Sequence, residues 1–213
     1  MTASRHSSEE RLLAYAAGTL SPPEAVVVAV HLALRPASDA WVRQLQAIGG
    51  ALLDEETPAP LSPDALQRAL ARIEAAAPVP SPPTLSTNEM PELPEPLRRY
   101  GLGPWRWVGP GVRLRDVHAP RDGGCRVILL KVQPGHETPV HTHSGAELTC
   151  VLSGAYANAT RSFDVGDLEE ADPTVQHEQR VVSNEPCLCV VALDGQIRMR
   201  GWLARLWGLF VRL

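Results

Sequence analysis

Apolar and polar positions change rhythm once along this chain. Residues 1–76 hold four apolar-rich stretches, each preceded by a residue that suits a helix start, and the pattern predicts four helices of about 11 to 16 residues. In "SSEERLLAYAAG", Ser7 stands three positions before Glu10, the spacing of a capping box, and Gly18 offers a stop. "SPPEAVVVAVHLAL" repeats the device with Ser21 as cap, Pro22 in the first turn and Glu24 three positions after the serine. Ser38 or Asp39 can cap "AWVRQLQAIGGALLDE", and Ser62 can cap "PDALQRALARIEAA".

The periodicity then stops. Residues 77–96, "APVPSPPTLSTNEMPELPEP", carry seven prolines, which remove amide donors and restrict the residues before them, so a semi-extended spacer is predicted. Beyond it the runs shorten and alternate. "VRLRDV", "CRVILLKV", "ELTCVLSG", "AYANATRSF" and "CLCVVAL" read as strands separated by Gly, Pro, Asp and Asn. Many short strands at such intervals predict an antiparallel sandwich or barrel. The division expected is a helical unit at 1–76, a spacer at 77–96, a β unit at 97–195 and an amphipathic end at 196–213. The two units are expected to be separate domains, α followed by all-β.

Composition narrows the function. The 213 residues carry a net charge of -4, which leaves no basic footprint for direct contact with nucleic acid. No apolar run reaches the roughly 18 residues of a membrane span. The first residues, "MTASRHSSEERLL", have acids where a secretory signal would be apolar. A cytoplasmic location is the expectation. In a reducing compartment the four cysteines, Cys125, Cys150, Cys187 and Cys189, are buried thiols or ligands more often than disulfides. Cys187 and Cys189 would share one face of a strand, as small apolar residues or as a redox pair.

The candidate chemistry lies in "GHETPVHTHSGAELTCVLSG". His141 and His143 are two apart and share a strand face, and Glu147 joins that face if the strand continues. Two imidazoles and a carboxylate at the mouth of a barrel suit a divalent transition ion, and His177, in "DPTVQHEQ", is the candidate fourth ligand. Three histidines with one glutamate would close a tetrahedral zinc site, whereas an open position would admit catalysis.

Gly135, His141, His143, Glu147 and Gly154 resemble the first cupin motif at every step. Gly166, Pro173 and His177 match the second less closely, with Val175 where a later glycine is expected. The resemblance implies a small double-sheet β-barrel (a double-stranded β-helix). The segment "LLAYAAGTLSPPEAVVVAVHLALRPASDAWVRQL" is similar to the zinc-binding anti-sigma domain, in which one helix carries His-x3-Cys-x2-Cys. His31 takes the histidine's place and His6 that of the upstream ligand, while Arg35 and Ser38 stand where the family has cysteines.

Taken over nearly its full length, the chain resembles the ChrR-type zinc-binding anti-sigma family. That resemblance implies a regulator without enzymatic activity. It would bind an extracytoplasmic-function sigma factor through residues 1–76 and release it under oxidative stress such as singlet oxygen, with a zinc-bearing cupin as sensor. The implied metal residues are His6, His31, His141, His143, Glu147 and His177. The rival reading is a metal-dependent cupin dioxygenase or isomerase whose helices are a dimerisation arm. The C-terminal "RMRGWLARLWGLFVRL" places Trp202, Leu206, Leu209 and Leu213 at helical spacing, fit to pack on the barrel, on another chain or on a membrane surface.

Overall fold

Helices fill the first part of the chain and antiparallel strands the second. The computed structural model describes residues 5–76, 89–138, 141–172, 178–195 and 197–199, with the side chains of 5–8, 143 and 197–199 excepted. Helix α1 spans Arg5–Ala16, so Ser7 lies inside it and is not its cap. Its stop is the expected one: Gly18 takes φ +69, and the Thr19 amide donates back to the Ala14 carbonyl at 3.0 Å.

Helix α2 (Pro22–Leu34) starts where the sequence places it. Oε2 of Glu24 accepts from the Ser21 amide at 3.2 Å and from its hydroxyl at 2.7 Å. A single residue, Arg35, separates α2 from α3 (Pro36–Asp54), and the two helices are bent by 119°. Pro36 takes the first position of α3, so Ser38 and Asp39 fall within its first turn instead of capping it. Helix α4 (Ala65–Ala75) has Asp64, not Ser62, at its N-cap. No single described helix is long and apolar enough to cross a membrane; α2 and α3 meet that test only as a bent pair.

The expected spacer is shorter than 77–96. Residues 77–88 lie outside the described residues, and the chain beyond them is packed. Leu93 is buried, and the four-residue helix α5 (Glu95–Arg98) buries Pro96 and Leu97. Proline is tolerated there because a first helical turn needs no amide from it.

Eleven strands follow among the described residues. They are β1 (Arg106–Gly109), β2 (Val112–Asp122), β3 (Cys125–Val132), β4 (His141–His143), β5 (Glu147–Ser153), β6 (Tyr156–Ala157), β7 (Ser162–Phe163), β8 (Leu168–Ala171), β9 (Arg180–Val181), β10 (Cys187–Leu193) and β11 (Ile197–Met199). The large sheet runs β1-β2-β3-β10-β5-β8, with smaller sheets β7-β6-β9 and β11-β4. Residues 197–199, expected within an amphipathic end, therefore pair as a strand with β4; Trp202, Leu206, Leu209 and Leu213 lie outside the described residues.

Alternation along β5 and β10 divides the core in two. Val151, Cys187, Cys189, Val191 and Leu193 face inward with Tyr156 and Phe163. Leu148, Cys150, Leu188, Val190 and Ala192 face the other way, into a cluster that also holds Val26, Val27, Val28, Val30, Leu93 and Leu97. Helix α2 thus lies on the outer face of the barrel sheet. This corrects the expectation of two isolated units: they share one hydrophobic core. Full burial of a valine or leucine contributes about 1.5–3 kcal/mol, so Val27, Val28 and Val30 alone outweigh the ion pairs that cross the same junction.

Candidate functional site

The inward faces of β5 and β8 carry carboxylates as well as apolar groups. Glu147, Thr149 and Val151 share one face of β5, and Thr149 stands opposite both Glu169 on β8 and Val191 on β10. Glu147 is buried, and its Oε1 accepts a hydrogen bond from the Thr149 hydroxyl at 3.0 Å. Glu169 is buried too. Its Oε2 accepts from the Tyr156 hydroxyl at 2.6 Å and from Gln179 Nε2 at 2.8 Å, and Asn158 Nδ2 donates to its other oxygen. A buried carboxylate needs such donors, because an unpaired one is expensive to desolvate.

His141 is buried on β4, the strand that reaches β11. His141 and Glu147, two of the expected ligands, are thus both buried. His143 lies on the same strand with its side chain outside the described residues, and His177 lies outside them altogether. Among the described residues no three His, Cys, Asp or Glu side chains gather closely enough to hold a metal. The donors whose side chains are described, a buried imidazole and a buried carboxylate, are those a zinc or iron site uses.

Cys187 and Cys189 share the inward face as expected, with Sγ atoms 3.7 Å apart. The contact with Cys187, together with full burial, pushes the Cys189 thiol well up. It is held protonated and is a poor nucleophile at neutral pH. Burial, with the Glu169 charge next in importance, raises the Tyr156 hydroxyl in the same way.

A second polar cluster lies outside the barrel, where α1 and α2 meet β8 and the turn before it. His31 donates from Nδ1 to the Gly166 carbonyl at 2.6 Å, while its Nε2 is buried without a hydrogen-bond partner. Burial lowers the basicity of its ring, so the neutral form is held. Arg35 donates to Asp167 Oδ1 at 2.9 Å. Arg11 donates to Glu24 at 2.6 Å and to Glu170 through Nε at 3.0 Å. His6 lies in α1, its side chain outside the described residues.

The ring of His31 is oriented as a metal ligand's would be, with one nitrogen fixed by a backbone carbonyl. Its surroundings do not fit a metal. The Arg35 guanidinium has no lone pair and is already engaged, its charge opposes a cation beside it, and a neutral Ser38 hydroxyl is a weak ligand. The expected zinc site of the helices is not met by these residues.

Sequence reasoning missed Glu169, Tyr156, Gln179, Asp167 and Glu170. The segment "DVGDLEE" was not among the stretches read as strands, yet its last three residues open β8. The available signal was two adjacent acids after a Gly-Asp turn: on a strand they project to opposite faces, Glu169 into the barrel and Glu170 toward α1.

The far ends of the helices are apolar and uncovered. Trp41, Leu45, Ile48 and Leu52 follow one another at helical spacing on α3, and all but the partly covered Leu45 are exposed. Helix α4 buries no residue, and Leu66, Leu70 and Ile73 form an exposed stripe at four- and three-residue steps. An uncovered apolar stripe of this kind, on either helix, is what an interaction site offers.

Three comparisons bear on this geometry. Residues 100–196 match the ChrR cupin-like domain family. The anti-sigma-E factor ChrR of Cereibacter sphaeroides is 36% identical over 218 residues, covering 100% of both chains. The crystal structure of Rhodobacter sphaeroides SigE in complex with the anti-sigma ChrR matches with a TM-score of 0.67 and 35% identity, over 86% of this chain and 94% of that one.

Proposed function

The chain belongs to the ChrR anti-sigma family, and from that premise we propose that it binds and inhibits an extracytoplasmic-function sigma factor in the cytoplasm. The observation that carries this reading is the pair of uncovered apolar stripes, one on α3 and one on α4, in a chain whose relative ChrR was crystallised with SigE. An amphipathic helix with no cover of its own gains most by lying in a partner's groove. The contact belongs to residues 1–76, within which all of these side chains fall. The likeness spans both halves, which favours a regulator over a cupin enzyme with a helical dimerisation arm.

The barrel is proposed to be the sensory part, releasing the sigma factor under oxidative stress such as singlet oxygen. His141, His143, Glu147 and His177 would hold a zinc ion there. With four protein ligands it would be a closed structural site that contributes to barrel stability. The chain's own residues shape that interior: Thr149 orients the Glu147 carboxylate, and Tyr156 and Gln179 fix Glu169 beside it.

The test is co-expression of the full chain with the sigma factor encoded beside it, followed by size exclusion and a promoter reporter. An equimolar complex and a silent reporter that oxidant induces are expected. Separate elution of the two proteins would remove the anti-sigma reading. Unchanged induction after His141→Ala and Glu147→Ala would remove the barrel as sensor.

A further inference from the structure

We propose that the metal-ligand end of α2 has become a fastening between the helices and the barrel, in which Arg35 and His31 clamp the Gly166–Asp167 turn and no zinc is held. Three contacts converge on that turn. His31 donates to the Gly166 carbonyl at 2.6 Å. The Arg35 side chain lies over the Gly166 Cα so closely that a Cβ there would come within 2.7 Å of Nε and 3.0 Å of Cγ. The guanidinium then reaches Asp167 Oδ1 at 2.9 Å. Gly166, at φ +85, therefore serves both as the turn residue that only glycine adopts easily and as the seat of the arginine stem.

The turn is rigid enough to be held. The Gly166 amide donates to the Val151 carbonyl at 2.8 Å and the Asp167 amide to the Asp164 carbonyl at 2.8 Å. Asp167 divides its carboxylate: Oδ1 accepts from Arg35 and Oδ2 from the Asp164 amide at 2.9 Å. Three residues beyond Asp167, Glu170 on β8 is tied to α1 by Arg11. The same short strand thus faces the helices through Glu170 and the barrel interior through Glu169, so the position of β8 is felt on both sides.

The electrostatics are those of a replacement. Zinc bound by two thiolates is neutral overall, and so is an Arg–Asp pair; the substitution at position 35 adds one positive charge, and Asp167 answers it. What the helices lose is a link within themselves, and what they gain is a link to the barrel. The proposal does not depend on the sigma-factor reading.

The test is hydrogen exchange of the α2 amides in the full chain, with Arg35→Gln, Asp167→Asn, the double variant and the charge-exchanged R35D/D167R pair. Each single substitution should speed exchange by about two- to fivefold, with the double variant no worse than the more severe single one. The exchanged pair should recover part of the protection. Any protection that zinc lends α2 through the barrel should be the same in the native chain and in His6→Ala, and His6→Ala should leave the zinc content unchanged. Effects that simply add in the double variant, or α2 protection that rises with zinc and falls in His6→Ala, would overturn the fastening.

Discussion

Arg11 on α1 donates to Glu170 on β8 at 3.0 Å, across 159 positions of sequence. The pair marks the rim of a junction whose weight is carried by the apolar residues inside it. A partly exposed ion pair contributes about 1 kcal/mol, whereas Val27, Val28 and Val30 of α2 and Leu97 of α5 are fully buried in the cluster that the helices share with the barrel sheet.

The helices and the barrel should therefore unfold together. Leu97→Ala is expected to cost about 2–5 kcal/mol and to lower the midpoint of helix and barrel signals alike. Calorimetry with near-ultraviolet and far-ultraviolet circular dichroism checks this. Two separated transitions, only one of them shifted, would show that the junction is weak.

The stripe on α4 behaves in the opposite way. Leu66, Leu70 and Ile73 touch little, so Leu70→Glu should change stability by no more than about 0.5 kcal/mol. Binding to the sigma factor should weaken more than about tenfold, because the new carboxylate would be buried against an apolar partner surface. Titration calorimetry and thermal melts on the same variant separate the two effects.

How far these features were legible in the sequence depends on the range of the interaction that creates them. Gly18 and the Ser21–Glu24 cap depend on neighbours within four positions, and both were readable, as were β3 and β10 from their short apolar runs. The cupin residues His141 and Glu147 were singled out by motif spacing, although they stand on separate strands, β4 and β5, and not on one continuing strand face. The docking of α2 was not, because proline-rich chain between two periodic units looks the same whether or not the units touch. Arg35 was legible as a departure from a ligand pattern; its partner Asp167 lies 132 positions away and only the fold brings it near. Helix starts at Ser7 and Ser38 were misplaced because upstream helix and Pro36 took the first turn, and the start at Ser62 because a turn through Pro63 and Asp64 precedes α4.

Burial raises the Cys125 thiol to about 11 and the Cys150 thiol to about 12, from an ordinary 9.0. Both thiols stay neutral in the folded chain where the unfolded chain would ionise. That stability is fully present below about pH 9 and is lost as pH rises through the folded values, by up to about 1.4 kcal/mol per unit at the deeply buried Cys150 and by less at Cys125, where solvent screens the charge. Urea unfolding between pH 8 and 11 should show this fall, and Cys150→Ala should make it shallower. A flat profile in the native chain would show that these thiols are solvated.

Tyr156→Phe removes one of the donors to Glu169 and leaves the ring stacked on Phe163, whose centroid is 4.9 Å away. The loss should be about 1–3 kcal/mol, the cost of leaving a buried acceptor short of a partner. Asn158→Ala, at the edge of the same network, should cost less. Equal costs would mean that the network is open to water.

The most direct test of the account is promoter-specific transcription in a purified system of core RNA polymerase, the cognate extracytoplasmic-function sigma factor and the full chain. The account predicts that one equivalent of the native chain suppresses transcription and that the Leu70→Glu chain, equally folded, does so only at much higher concentration. Undiminished transcription in excess native chain, or equal inhibition by the two chains, would contradict it.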